Sequence, residues 1–199
     1  MSQQDIPTRE VARRVFAAEF NASTYTFTES DAERAPVYAL LPTGAPANRV
    51  FFVGTLTETE DVGSDNEYWR GRVVDPTGTF FVYAGQYQPA AAAKLRELEP
   101  PAYVAVVGKP RTFTTDDGSV TVSVRPETIS VVDADTRDAW VLETAAQTMD
   151  RIEAADPTLE AYREMVDEAY PEHETDVPAM VTTALESVDG VASDELPLA

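Results

Sequence analysis

Apolar residues along the chain first recur at helical spacing. Over residues 8–20, Val11 and Val15 fall four apart, as do Ala12, Phe16 and Phe20, which predicts a short amphipathic helix ended by Asn21-Ala22-Ser23. Tyr25–Thr28 and Val37–Leu41 read as short strands, and the turn-rich stretch Pro42–Asn48 marks a first boundary. From Val50 the period becomes two, with Val50, Phe52, Gly54 and Leu56 in one phase and Phe51, Val53 and Thr55 in the other. A second strand covers Tyr68–Asp75. The turn Asp75-Pro76-Thr77-Gly78, with proline and glycine at its second and fourth positions, returns the chain into a third strand, Thr79–Ala84. Ala90–Leu98 is an alanine-rich helix stopped by Pro100-Pro101. Strands Tyr103–Lys109 and Val120–Arg125 flank Asp116-Asp117-Gly118, and a short strand Ile129–Val132 follows. Helical spacing then returns over Thr136–Ala155, over a stretch marked by Leu159, Tyr162, Val166 and Ala169, and over a third opened by Asp176 with Pro178 in its first turn.

Three meandering strands, a helix and two more strands is the order of the five-stranded OB barrel. An unrelated small barrel or an open meander are the alternatives, and the helix between strands three and four favours OB. Gly54 inside strand one fits such a barrel, where backbones approach closely at a bend. The expected architecture is mainly β with flanking α: an N-terminal helix-and-strand extension (1–48), an OB-fold barrel (49–133), a C-terminal helical region (134–189) and a tail (190–199).

Charge changes the picture. The 199 residues carry 35 acids against 15 bases, a net of −20, with 13 Arg but only Lys94 and Lys109 as lysines. Heavy Asp and Glu, scarce Lys and no Cys fit a soluble protein of a high-salt cytoplasm, where an acidic surface maintains solubility. Total charge then describes the solvent more than the partners. Its distribution is more informative. Residues 49–125 hold 8 bases and 10 acids, whereas the rest hold 7 and 25, so the barrel region alone stays close to neutral.

Candidate chemistry is sparse. Without cysteine there is no disulfide framework or thiol nucleophile, and the lone His173 gives no basis for a triad. Glu172-His173-Glu174 reads as a solvated loop, no glycine-rich loop opens a helix, and no run is long and apolar enough to span a membrane. No enzyme, metal site or cofactor is expected. On strand two, Arg70 and Arg72 share the phase opposite Gly71 and Val73 and so face outward, since two arginines are costly in a small core. Pairing across the Gly78 turn puts Phe81 and Tyr83 beside them, and Phe51 and Val53 of strand one would extend the face. Lys109 and Arg111 complete the candidate nucleic-acid-binding set. Rings beside guanidinium groups on an open barrel face suit single strands, bases stacking at ~1–3 kcal/mol each. The alternative is that flanking helices cover this face and make the rings core.

The run Tyr68-Trp-Arg-Gly-Arg-Val-Val-Asp-Pro-Thr-Gly-Thr-Phe-Phe-Val-Tyr-Ala-Gly-Gln-Tyr-Gln-Pro89, with Arg125-Pro-Glu-Thr-Ile-Ser-Val-Val132, resembles the haloarchaeal RPA-associated proteins. These are OB-fold companions of archaeal replication protein A (RPA), the single-stranded DNA-binding protein. The resemblance spans residues 8–170 and is strongest over 50–132. It implies a non-enzymatic, cytoplasmic subunit or accessory of the RPA complex in replication and repair, in contact with single-stranded DNA. Asp116 and Asp117 in the strand four–five loop, and Glu58, Glu60, Asp61 and Asp65 in the strand one–two loop, cut against direct DNA contact. A protein adaptor that docks on RPA without touching DNA is therefore the second reading. The acidic, striped C-terminal helices are expected to carry that association.

Overall fold

The computed structural model describes residues 10–153, 157–172 and 175–188. Five strands form the barrel: β5 (Val50–Asp61), β6 (Trp69–Asp75), β7 (Gly78–Ala84), β8 (Ala102–Thr114) and β9 (Val120–Val131). They neighbour one another in the order β5-β6-β7-β9-β8, and β5 also pairs with β8, which closes the sheet. Helix α2 (Pro89–Glu97) lies between β7 and β8 in sequence, so the expected element order holds. The expected short strand at Ile129–Val132 is instead the far end of β9, because the β8–β9 ladder runs unbroken apart from one bulge at Val107/Gly108.

β5 serves two neighbours by bending. Its first half pairs with β8 and its second half with β6, with a further register shift between Leu56 and Glu58. Gly54 sits at the handover. A Cβ there would lie 2.6 Å from the Val74 carbonyl oxygen, closer than any real contact, so only glycine lets β6 approach. Inside, Phe52 stacks on Phe80 at 3.8 Å between ring centres, and Phe20 tilts onto Phe80 at 5.5 Å.

The N-terminal segment departs from the expected helix. Of residues 8–20, 8 and 9 lie outside the described residues, and α1 covers only Ala17–Ala22. Arg13 and Arg14 instead form β1, parallel to the start of β5, where the Arg13 amide donates to the Arg49 carbonyl at 2.8 Å. The edge of β5 not used by β8 supplied unpaired backbone groups, and filling that ladder outweighed a helical turn. Val15, Phe16 and Phe20 are still buried, but Val11, expected on the same face, is 89% exposed, because the strand geometry of residues 13–14 breaks the helical stripe. Strands β2 (Thr26–Thr28), β3 (Val37–Leu40) and β4 (Pro46–Ala47) form a small second sheet.

Helices α3 (Ala134–Glu153), α4 (Glu160–Ala169) and α5 (Val177–Glu186) follow, α5 capped by Asp176, whose side chain accepts the Ala179 amide at 3.0 Å. Trp140 of α3 meets Phe16 edge-on at 5.5 Å and Phe51 at 6.4 Å. The buried faces of α3 and α5 join the barrel and α1 in one hydrophobic cluster. A buried ion pair clamps this layer: Arg151 of α3 donates to Glu19 of α1 at 2.8 Å, and Thr43 donates to the other Glu19 oxygen at 2.6 Å. The expected tail at 190–199, and His173 with Glu174, lie outside the described residues. No described helix is long and apolar enough to cross a membrane.

Candidate nucleic-acid interface

Residues opposite one another in an antiparallel ladder point to the same side of the sheet, so register alone assembles the outer face. Gly71 and Val73 of β6, and Phe80 and Val82 of β7, are buried in the barrel. Their alternates point out: Arg70 opposite Tyr83, and Arg72 opposite Phe81. Val82 and Val124 pair in parallel and are both core, so Arg125 lies outward beside Tyr83. On the next strand Lys109 faces Arg125 and Arg111 faces Ser123. One outer surface therefore runs across β6, β7, β9 and β8, and it brings together Arg70, Arg72, Phe81, Tyr83, Lys109 and Arg111.

Neither Phe51 nor Val53, both expected there, is part of it: the Phe51 ring lies under Trp140 and under the Arg14 guanidinium, 4.8 Å from the ring centre, and Val53 is buried. Both proposed fates of the barrel exterior thus occur, on different strands: helices cover the β5 side, while the β6–β7 side stays open, with Phe81 36% exposed.

The open face has two halves of different character. In the first, the Arg70 guanidinium lies 6.0 Å above the Phe81 ring and pairs with Glu60 at 2.6 Å and Glu58 at 3.3 Å. Both carboxylates come from the second half of β5, Glu60 directly across the ladder from Arg70 and Glu58 across from Arg72, and together they largely neutralise Arg70. Among the described residues the Arg72 guanidinium donates only to the Thr57 hydroxyl, at 3.4 Å.

The second half was harder to foresee. Tyr68, just before β6, stacks on Tyr83 with ring centres 5.7 Å apart and planes 22° from parallel. Gly85 permits this, since a Cβ there would lie 2.8 Å from the Tyr68 ring. The two tyrosines border a groove shared with Arg111, Phe113 and Arg125. Neither arginine is paired with a carboxylate among the described residues. Burial, and next the like charge of Arg125, holds the Arg111 guanidinium below its ordinary pKa, although it remains a cation. Two uncompensated guanidinium groups beside a stacked pair of rings is a geometry that accepts a flat base and a phosphate together. Sequence reasoning missed Tyr68 and left Arg125 unassigned. The signals were Gly85, placed where strand three ends, and Arg125, in phase with no core valine.

The hairpin tip is held by its own acids. Asp117 accepts the Thr115 hydroxyl at 2.5 Å and the Ser119 amide at 3.0 Å, and these bonds, the first above all, pull its carboxyl down to a pKa of about 2. Asp117 therefore has a local structural partner set, and it is not among the residues that line the groove. Among the described residues no group of three potential metal ligands occurs.

A closed five-stranded barrel with this strand order, its helix between the third and fourth strands, is an OB fold. No protein-family model matches the chain, and no curated protein matches its sequence. Among solved structures it is similar to an OBody bound to hen egg-white lysozyme, with 17% identity, 43% of this chain and 80% of that chain covered, and a TM-score of 0.36. It is likewise similar to asparaginyl-tRNA synthetase from Pyrococcus horikoshii (17% identity, 43% of this chain against 19% of the synthetase, TM-score 0.35). The second single-stranded DNA-binding protein of Mycobacterium smegmatis gives 19% identity, 43% and 86% coverage and a TM-score of 0.37. Likeness at that level adds nothing to the strand order, on which the fold assignment stands.

Proposed function

We propose that the chain is a non-enzymatic binder of single-stranded nucleic acid, acting across the outer face of β6, β7, β9 and β8. The observation that carries this reading is the open Tyr68–Tyr83 stack beside Arg111 and Arg125, which lack carboxylate partners among the described residues in a chain with more than twice as many acids as bases. Bases stack on the tyrosines and Phe81, while Arg72, Arg111, Arg125 and Lys109 take phosphates. The resemblance to haloarchaeal RPA-associated proteins supports the finer proposal, an accessory of archaeal RPA in replication and repair within a high-salt cytoplasm.

Equilibrium binding of a fluorescent oligo-dT, followed over a range of KCl, tests the face. Tyr83→Ala is expected to weaken binding by ~1–3 kcal/mol while leaving the salt slope alone, since a ring releases no counterions. Arg111→Ala is expected to flatten the slope by about 0.7, the value for one phosphate contact on a single strand. Unchanged affinity in both variants, with both still folded, refutes the reading.

The adaptor reading keeps one specific support: Arg70, central on the face, is already paired with Glu58 and Glu60. Pull-down of RPA from native lysate with and without nuclease separates the two. RPA recovered only without nuclease fits DNA contact, and recovery that resists nuclease fits a protein adaptor.

A further inference from the structure

Beyond the stacking face, the barrel's exterior turns into a cleft between the β8–β9 hairpin and the small N-terminal sheet. Its basic wall is made by Lys109, Arg111 and Arg125 from the barrel and by Arg34 from the turn before β3. None of the four is paired with a carboxylate among the described residues. The two acids among its described lining residues are engaged: Glu127 pairs with Arg49, and Glu10 accepts the Tyr38 hydroxyl. A chain of net −20 could place acids opposite these cations at almost any neighbouring position, yet the cleft keeps like charges facing each other. Such an arrangement is relieved when an anion enters.

We propose that this cleft is a second nucleic-acid subsite, which holds the sugar–phosphate backbone of the strand after it leaves the stacking face. The inference rests on the face being a single-strand binding surface, and three features set its content. Arg111 and Arg125 line both grooves, so the cleft continues the face without a break. Among the described residues no aromatic side chain lines the cleft, so it offers bases nothing to stack on and reads backbone alone. One wall belongs to the N-terminal extension, so the extension adds to the length of strand engaged as well as to the core.

Arg34 is exposed and outside the barrel, so Arg34→Ala should fold normally, which a melting curve equal to wild type verifies. Affinity is measured for a ~6-nucleotide oligo-dT, enough for the face, and for a ~18-nucleotide one that exceeds one OB barrel. A third probe carries the same ~6 thymidines followed by abasic sugar–phosphate units. Wild type is expected to bind the long and abasic-tailed probes equally well and several-fold more tightly than the short one. Arg34→Ala should bind the short probe as wild type does, lose several-fold on the two longer probes, and flatten their salt slope by about 0.7. Equal loss on all three probes, no loss on any, or an abasic tail that adds nothing overturns the backbone subsite while leaving the face intact. Wild type binding none of the probes overturns the face and the subsite together.

Discussion

Arg151→Met tests whether the C-terminal helices are clamped to the barrel through charge. The Glu19 carboxylate has no exposed surface, and Arg151 is 9% exposed. Arg151 donates to Glu19 at 2.8 Å and to the hydroxyls of Thr43 and Thr148 at 3.0 and 3.2 Å. Methionine fills much of the volume but leaves Glu19 with Thr43 as its remaining side-chain donor. An uncompensated buried charge of this kind costs about 3–5 kcal/mol, a large share of the stability of a single domain. Replacing both partners, as Glu19→Leu with Arg151→Met, should recover most of that loss, because two apolar side chains remove the desolvation penalty along with the attraction. Urea unfolding followed by tryptophan fluorescence reads the change near Trp140, which packs on Phe16 a few residues from Glu19. Repeating the series at low and at molar KCl adds a control, since a buried pair is screened far less than a surface one. A loss below ~1 kcal/mol for Arg151→Met, or a double variant as unstable as the summed single variants, would refute the clamp.

Three further outcomes follow from the same structure. A chain ending at Asp133 should unfold or aggregate in place of keeping a free barrel, because α3 and α5 share one core with β5 and α1; a cooperative melt close to that of the full chain would contradict this. Asp117 should titrate by NMR near its depressed pKa of about 2, and Thr115→Ala should raise that midpoint. With a folded pKa below the unfolded one, the bonds of the hairpin tip are intact above the ordinary carboxylate range and are lost as pH falls through about 2, so the tip should loosen only in strong acid. Thermal midpoints should rise from low salt to ~3 M KCl as the acidic flanks are screened, and a flat or falling trend would remove the high-salt reading.

Local pattern determined a great deal of this protein. Alternation of period two located the five barrel strands, since a strand covered on one side must alternate whatever lies elsewhere in the chain. Gly54 betrayed the bend in β5, and Asp75 to Gly78 the turn that places Arg70 and Arg72 beside Tyr83 and Phe81. The same alternation could not tell Phe51 from Tyr83. Both are aromatic, both alternate out of the barrel, and they differ only in what arrives above them. That cover is Trp140, about ninety residues further along the chain than Phe51. The stripes on α3 and α5, expected to meet a partner protein, are spent on this chain's own barrel. Residues 10–14 went the same way, since a vacant edge of β5, visible only once the barrel closes, drew Arg13 and Arg14 into a strand. Burial of an outward side chain and pairing of a free edge are decided by distant segments, so only the tertiary structure settles which of two equivalent faces is left for a ligand.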